Sequence, residues 1–145
     1  MKILEVTEVT DQVLEALNLL LPQLSESATP MTERDLRSLI DSRPSQLLMA
    51  VEKGAFVGSL TLVLFHLPTG LRARIEDLVV DRSARGKGIG KALIIRAVEL
   101  ARDFGAIAID LTSNPNRTSA NALYKSMGFA RRQTNVYRYE LKTLH

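Results

Sequence analysis

Three glycines, at positions 86, 88 and 90, alternate with basic and apolar residues in the stretch Arg-Gly-Lys-Gly-Ile-Gly-Lys, which covers residues 85–91. A strand-like apolar run precedes this loop, and an amphipathic helix pattern follows it directly. Glycines let the backbone approach a ligand closely, and the first turn of a helix offers free N–H groups at the positive end of its dipole. Arg85 and Lys87 add positive charge at the same place. The stretch therefore predicts a site for a phosphate or a similar anion.

Two widespread phosphate-binding motifs do not fit this loop. A P-loop requires a glycine five residues before its Gly-Lys pair and a serine or threonine after it, but Arg85 and Ala92 stand at those positions around Gly90-Lys91. A dinucleotide fingerprint requires a third small residue where this chain has lysine or leucine. The spacing that does fit is Arg-x-x-Gly-x-Gly, formed by Arg85, Gly88 and Gly90.

The composition excludes several kinds of site. The 145 residues are 46% hydrophobic and 24% charged, which is typical of a globular chain, so we expect one domain over residues 1–145 with a proper core. Without cysteine there are no disulfides, no thiolate nucleophile and no cysteine-based metal site. The imidazoles are His66 and His145 alone, which argues against a Ser-His-Asp triad and against a metal centre.

The charge does not single out a nucleic-acid partner. The net charge is +3, but the basic residues are spread along the chain, and aromatic residues, at 5%, are too few for stacking platforms. We therefore expect no nucleic-acid partner. No apolar run approaches the ~18 residues of a membrane span, and the first residues lack the apolar region of a signal peptide. We expect no membrane partner and a cytoplasmic location.

Hydrophobic periodicity and helix signals predict the order of elements. Helices are predicted to start at Thr10 or Asp11, at Thr32, at Gly88 and at Thr118 or Ser119, the third ending at Phe104 before Gly105. Strands are predicted over residues 2–6, 47–51, 56–65, 72–80, 106–111 and 131–141. This order, β-α-α-β-β-β-α-β-α-β, predicts an α/β sandwich around one mixed sheet with a parallel crossover.

Two motifs carry a resemblance to a known family. The Arg-x-x-Gly-x-Gly loop resembles the pyrophosphate-binding motif of the GCN5-related N-acetyltransferase (GNAT) superfamily. Residues 116–129, Asn-Arg-Thr-Ser-Ala-Asn-Ala-Leu-Tyr-Lys-Ser-Met-Gly-Phe, are similar to that family's C-terminal motif, with alanine four residues before the tyrosine and Gly-Phe four residues after it. The resemblance covers residues 46–129, while the first 45 residues agree in element order only. It implies a GNAT-type three-layer sandwich and an acyltransferase that moves an acetyl group from acetyl-CoA to a primary amine.

The resemblance also implies which residues bind the acetyl donor. The loop would hold the pyrophosphate, and the strand before it would offer main-chain groups to the pantetheine arm and an amide to the thioester carbonyl. Asn121 resembles an asparagine that helps to hold the arm, and Asn116 is equally well explained as a turn residue. The expected donor-binding residues are Leu78, Val79, Val80, Arg85, Gly86, Lys87, Gly88, Ile89, Gly90, Lys91, Asn116 and Asn121.

Two side chains are expected to move protons. Tyr124 occupies the position of the tyrosine that, by resemblance, protonates the departing thiolate, and a tyrosine is protonated at neutral pH; its alternative is a packed helix tyrosine. Glu76 is the expected base that deprotonates the amine, because a carboxylate on a central strand is costly unless it is paired or functional. The alternatives are an ion pair of Glu76 with Arg72 or Arg74, and Asp77 as the base instead.

The sequence does not identify the amine that accepts the acetyl group. The run Ile-Glu-Asp-Leu-Val-Val, residues 75–80, resembles glucosamine-phosphate N-acetyltransferases in particular, which makes an amino sugar phosphate a narrower alternative. A non-catalytic acyl-CoA-binding module would keep the glycine loop without needing Glu76 or Tyr124. The lack of cysteine favours direct transfer over an acetyl-cysteine intermediate. By analogy with the family, the chain is expected to form a homodimer.

Overall fold

The computed structural model describes residues 1–142, which fall into two compact units that meet between Leu111 and Thr112 in the sequence. The second unit contains one helix, α4 (Thr118–Ser126). The first unit contains β1 (Lys2–Val6), α1 (Asp11–Leu24), α2 (Glu33–Asp41), β2 (Ser45–Glu52), β3 (Ala55–Leu67), β4 (Gly70–Val80), a 3₁₀ turn (Arg82–Ala84), α3 (Ile89–Asp103) and β5 (Ile109–Asp110).

The five strands form one sheet in the order β1-β2-β3-β4-β5. The first four strands are antiparallel neighbours, and β5 runs parallel to β4. The predicted mixed sheet and the β4-α3-β5 crossover are confirmed. The β2–β3 hairpin turns through Lys53 and Gly54, both with positive φ (51° and 77°), which is the two-residue turn that matches strand twist.

Helices cover both faces of this sheet within the first unit. Leu47, Met49 and Val79 are buried with residues of α1 and α2 on one face. On the other face, a Cβ placed on Gly58 would lie 3.1 Å from Leu93 of α3. Neighbouring strand residues point to opposite faces, so α1 and α2 form one layer, the sheet a second and α3 a third. This is the predicted three-layer sandwich.

The first two helices begin at the predicted caps. The Thr10 side chain accepts a hydrogen bond from the Val13 N–H at 3.2 Å. Thr32 and Asp35 form a reciprocal capping box, with hydrogen bonds of 3.1 and 2.9 Å between each side chain and the other residue's N–H. These bonds satisfy N–H groups that a helix start leaves free.

A β-bulge interrupts β4 just before the glycine loop. Thr61 of β3 pairs with Glu76, but Ser59, two residues earlier, pairs with Val79. Two residues of β4 therefore oppose one residue of β3, and Asp77 within the bulge has a left-handed φ of 50°. A bulge re-aims side chains and leaves backbone groups outside the ladder. The alternation of side chains between the two faces of β4 is therefore interrupted at this point.

Four details of the predicted helices and strands are wrong. The predicted strand over 106–111 shortens to β5, although Ile107 and Ala108 also bond to the backbone of β4. The third helix, predicted to end at Phe104, ends one residue earlier at Asp103, and Phe104 is 54% exposed. The helix α4 is preceded by Arg117 and has no side-chain cap.

The fourth difference is the predicted last strand over 131–141. Residues 130–140 have no β-structure within the described chain, and they are exposed to solvent. The alternation of Tyr137, Tyr139 and Leu141 is right for a strand, but a strand also needs a neighbour that pairs its backbone groups. Among residues 1–142 none does so. The same part of the chain has no helix long and apolar enough to cross a membrane.

Candidate active site

The start of α3 has the properties of an anion site. Gly88 precedes the helix in a left-handed conformation (φ 80°, ψ 13°), and no side chain of the described residues caps the first turn. No acidic residue lies in this turn, and Lys91 is its third residue. A cation at the positive end of a helix dipole is unfavourable by itself. An anion at the free N–H groups would compensate this charge.

The occurrence of glycine at positions 88 and 90 of the loop has two different explanations. Gly88 requires its positive φ, which other residues adopt at a cost. Gly90 lies inside the helix, where a Cβ would meet only the Val80 side chain at an ordinary 3.7 Å. Folding therefore does not require glycine at position 90. Cβ atoms on Gly86 and Gly88 would meet nothing within 4 Å, so the space around the loop is open.

The two cations of the loop are held in place by oxygen atoms of the protein. Arg85 Nε donates a hydrogen bond of 3.0 Å to the Val80 carbonyl oxygen at the end of β4. Lys87 Nζ lies 3.4 Å from Glu52 Oε1 in an ion pair, and its side chain is 54% exposed. Both side chains therefore bring positive charge to the loop and keep access to solvent.

The entrance to the loop is tied to α1 by Gln23. Its Nε2 donates to Asp81 Oδ1 at 2.8 Å, and its Oε1 accepts from the Arg82 N–H at 2.9 Å. The other Asp81 oxygen accepts hydrogen bonds from the N–H and the hydroxyl of Ser83. These bonds, first that of the Ser83 hydroxyl and then that of Gln23, lower the pKa of Asp81. No local sequence pattern predicts this contact, because the two residues lie 58 positions apart.

The two carboxylates of β4 lie in different surroundings. Glu76 Oε1 accepts from Arg74 Nε at 2.9 Å in an ion pair whose side chains are 44% and 36% exposed. The ion pair considered as an alternative for Glu76 is therefore present. Asp77 lies in the bulge and is exposed as a residue, yet its pKa is raised, first because protein atoms displace water from the carboxyl group and second because of the Glu76 charge.

In the second unit, Asn114 organises the turn before α4. Its Oδ1 accepts from the Asn116 N–H at 2.9 Å, and its carbonyl oxygen accepts from Asn121 Nδ2 at 3.1 Å. Asn114 thus links the two predicted site residues, Asn116 and Asn121. It was not itself predicted as a site residue. The Asn-Pro-Asn run was a usable signal, since asparagine often bonds the backbone two residues ahead.

Tyr124 is a buried residue of α4, 8% exposed. Its ring lies edge-on to Phe129, with 6.1 Å between the ring centroids. Burial raises the pKa of Tyr124, and the charge of Arg117 opposes this to a smaller extent. Within residues 112–142, no group accepts a hydrogen bond from the Tyr124 hydroxyl. Among residues 1–142, no group of three or more His, Cys, Asp or Glu side chains could hold a metal ion.

Comparisons with known proteins agree with this geometry. The model of the acetyltransferase (GNAT) family matches residues 13–129. A glucosamine 6-phosphate N-acetyltransferase of Trypanosoma brucei brucei is 35% identical over 118 residues, which cover 76% of this chain and 78% of that protein. An N-alpha-acetyltransferase MAK3 of Arabidopsis thaliana is 31% identical over 98 residues, which cover 68% of this chain.

A solved acetyltransferase structure of Trypanosoma brucei superposes with a TM-score of 0.78 at 28% identity, covering 97% of this chain and 99% of that one. The chain belongs to the acetyltransferase (GNAT) family. The part of the Arabidopsis relative that matches is 51% of its length, so this chain spans about half of that protein.

Proposed function

We propose that the chain transfers the acetyl group of acetyl-CoA directly to a primary amine. The observation that carries the proposal is the uncapped start of α3, where positive side chains and open glycines lie directly after the bulged strand. A bound anion satisfies the free N–H groups there and compensates Lys91. The family match crosses both compact units, from residue 13 to residue 129, which supports a single catalytic domain.

The loop would hold the diphosphate of the donor. The N–H groups of residues 86–91 would donate to its oxygen atoms, while Arg85 and Lys87 balance its charge. Backbone groups of Leu78, Val79 and Val80 would bind the arm beyond the diphosphate, since the bulge leaves some of them outside the ladder. Acetyl-CoA supplies the activated acetyl group. Asn116 and Asn121, joined through Asn114, are also proposed to contact the donor.

One of the two carboxylates of β4 would take the proton of the amine. The sequence favoured Glu76, but two observations support Asp77. The Glu76 carboxylate is already engaged in an ion pair with Arg74 at 2.9 Å. The pKa of Asp77 is raised, which brings this carboxylate closer to the range in which a base works best at neutral pH.

Tyr124 would return a proton to the thiolate of CoA as it departs. Its raised pKa keeps the hydroxyl protonated over the whole neutral range, so it is available as an acid. Transfer is proposed to be direct, because the chain contains no cysteine that could carry the acetyl group.

The acceptor is proposed at the level of a primary amine on a small molecule or a protein. One relative is named for glucosamine 6-phosphate and another for an N-alpha-amino group, so an amino sugar phosphate is the narrower candidate. The test is thiol release from acetyl-CoA with a panel of amines that includes glucosamine 6-phosphate, glucosamine and a peptide with a free N-terminus. Release with one amine, and an added mass of one acetyl group on it, supports the proposal.

The same assay decides between the enzyme and a non-catalytic acyl-CoA-binding module. Tight binding of acetyl-CoA without acetylation of any amine in the panel would favour the module.

We further propose a homodimer in which the C-terminal segment, residues 130–142, is covered by the second copy. Its large apolar side chains are between 74% and 90% exposed in the single chain, namely Val136, Tyr137, Tyr139 and Leu141. Light scattering should give twice the 16.1 kDa of one chain, falling to one chain when Tyr137 and Tyr139 are replaced by aspartate. A wild-type mass of one chain at all concentrations would overturn the dimer.

A further inference from the structure

Gln23 is the one side chain of α1 that bonds to the turn leading into the glycine loop. It lies at the C-terminal end of α1, one residue before the helix ends, and it is half-buried. Its side-chain amide makes two hydrogen bonds to this turn. Nε2 donates to the Asp81 carboxylate at 2.8 Å, and Oε1 accepts from the Arg82 N–H at 2.9 Å. A third bond, from Nε2 to the Leu19 carbonyl oxygen at 3.2 Å, fixes the side chain on its own helix.

The orientation of the Gln23 amide follows from these partners. Asp81 can only accept when ionised and the Arg82 N–H can only donate, so Nε2 must face the first and Oε1 the second. A reversed amide would place oxygen against oxygen and N–H against N–H. Only a side chain with a donor and an acceptor in this order therefore fits between the two groups.

The turn that Gln23 holds sets the position of the loop. Asp81 caps the 3₁₀ turn over Arg82–Ala84, Ala84 is buried at 3% exposure, and Arg85 follows immediately. The N–H group of Asp81 also bonds to the Val57 carbonyl oxygen at 2.8 Å. The turn is thus fastened to β3 through its backbone and to α1 through Gln23.

We infer that Gln23 is a positioning residue for donor binding, which holds the entrance of the glycine loop so that its backbone N–H groups converge on the diphosphate. This inference rests on the proposed function. A loop that binds through backbone groups incurs an ordering cost on binding when it is not held beforehand. Loss of Gln23 should therefore weaken donor binding and leave the chemical step intact.

The first experiment measures the dissociation constant of acetyl-CoA by calorimetry for the wild type and for Gln23→Ala. We expect a weakening of about tenfold, which corresponds to ~1.4 kcal/mol, with KM for acetyl-CoA raised by a similar factor and kcat within about twofold. Gln12→Ala is the matched control, since Gln12 is an exposed glutamine of the same helix, and it should bind like the wild type. Melting curves confirm that each variant is folded at the temperature of the titration.

A reciprocal exchange separates positioning from a general loss of stability. Gln23→Glu places two carboxylates face to face, and Asp81→Asn leaves one acceptor oxygen for the bonds from both Gln23 and Ser83, so each single variant should bind acetyl-CoA more weakly. The double variant, Gln23→Glu with Asp81→Asn, restores a donor opposite an acceptor. In it the new amide at position 81 would donate to the new carboxylate at position 23, which would still accept from the Arg82 N–H. Its affinity should return to within about threefold of the wild type.

Two outcomes would overturn the inference while leaving the proposed function in place. One is wild-type affinity in Gln23→Ala. The other is a double variant that binds as weakly as the product of its two single effects, since independent effects multiply. A wild type that does not bind acetyl-CoA would instead refute the proposed function itself.

Discussion

The side chains of Glu76 and Asp77 illustrate how one extra residue in a strand separates two neighbouring acids. Glu76 pairs with Arg74 at 2.9 Å, while Asp77 sits in the bulge with a φ of 50°. Strained backbone of this kind collects at functional sites. Aspartate tolerates the left-handed conformation better than most residues, which lets the bulge carry an ionisable group.

Replacing each acid by its amide tests which one is the base. We expect Asp77→Asn to lower kcat by about 10²–10⁴-fold, the usual contribution of a general base, and Glu76→Gln to have a smaller effect. In the wild type, kcat/KM should fall on the acid side at a pH above the ordinary aspartate pKa, because the pKa of Asp77 is raised. Asparagine also adopts a positive φ readily, so the fold should be kept. A larger loss in Glu76→Gln would return the role to Glu76.

The same pKa shift has a consequence for stability. A carboxyl group whose pKa is higher in the folded than in the unfolded chain binds more protons when folded, so stability falls as the pH rises from the unfolded pKa of 3.8 through the raised folded value. The asparagine side chain does not titrate, so Asp77→Asn does not lose stability in this way as the pH rises. The melting temperature of the variant relative to the wild type should therefore increase over that window, and a difference that stays constant with pH would contradict the shift.

Tyr124→Phe removes one hydroxyl and keeps the ring that lies against Phe129. We expect the melting temperature to change little and kcat to fall by about 10²–10⁴-fold. In the wild type the rate should hold up to at least pH ~10, because the pKa of Tyr124 is raised above its ordinary value. Phe129→Leu is the control, since it disturbs the packing and leaves the hydroxyl. A variant Tyr124→Phe with wild-type kcat would show that this tyrosine is only a packing residue.

At the scale of elements, the site depends on how β4 passes into α3. The strand ends in a bulge and a 3₁₀ turn, and the helix then starts without a side-chain cap and with Lys91 in its first turn. These features are unfavourable for a helix considered alone. An anion bound at the helix start, as proposed, would make them favourable together.

Gly90→Ala separates the needs of folding from those of binding. The new Cβ would meet only Val80, at 3.7 Å, and alanine is the better helix former by up to about 1 kcal/mol. The variant should therefore melt at the same or a higher temperature, yet bind acetyl-CoA at least about tenfold more weakly, because the methyl group keeps the diphosphate away from the backbone. Lys91→Ala, with unchanged backbone, should weaken binding less. Equal affinity in Gly90→Ala would mean that the donor does not contact this turn.

At the scale of the whole molecule, local signals predicted most of the fold. The helix starts at Thr10 and Thr32 depend on side-chain caps within a few residues, and both starts were predicted from the sequence. The bulge at Asp77 and the contact of Gln23 with Asp81 arise from the register between distant segments, which no local pattern encodes. The segment over 131–141 has a strand pattern, but pairing depends on a partner rather than on its own residues.

The central claim is that the chain binds acetyl-CoA at the start of α3, and a thermal-shift titration tests it most directly. A ligand at about a hundred times its dissociation constant stabilises a fold by ~2.7 kcal/mol, which is roughly 5–11 °C for a chain of this size. We expect acetyl-CoA and CoA to give such a shift in the wild type, acetate to give none, and Gly90→Ala to lose most of it. No shift with either acetyl-CoA or CoA at millimolar concentration would contradict the account.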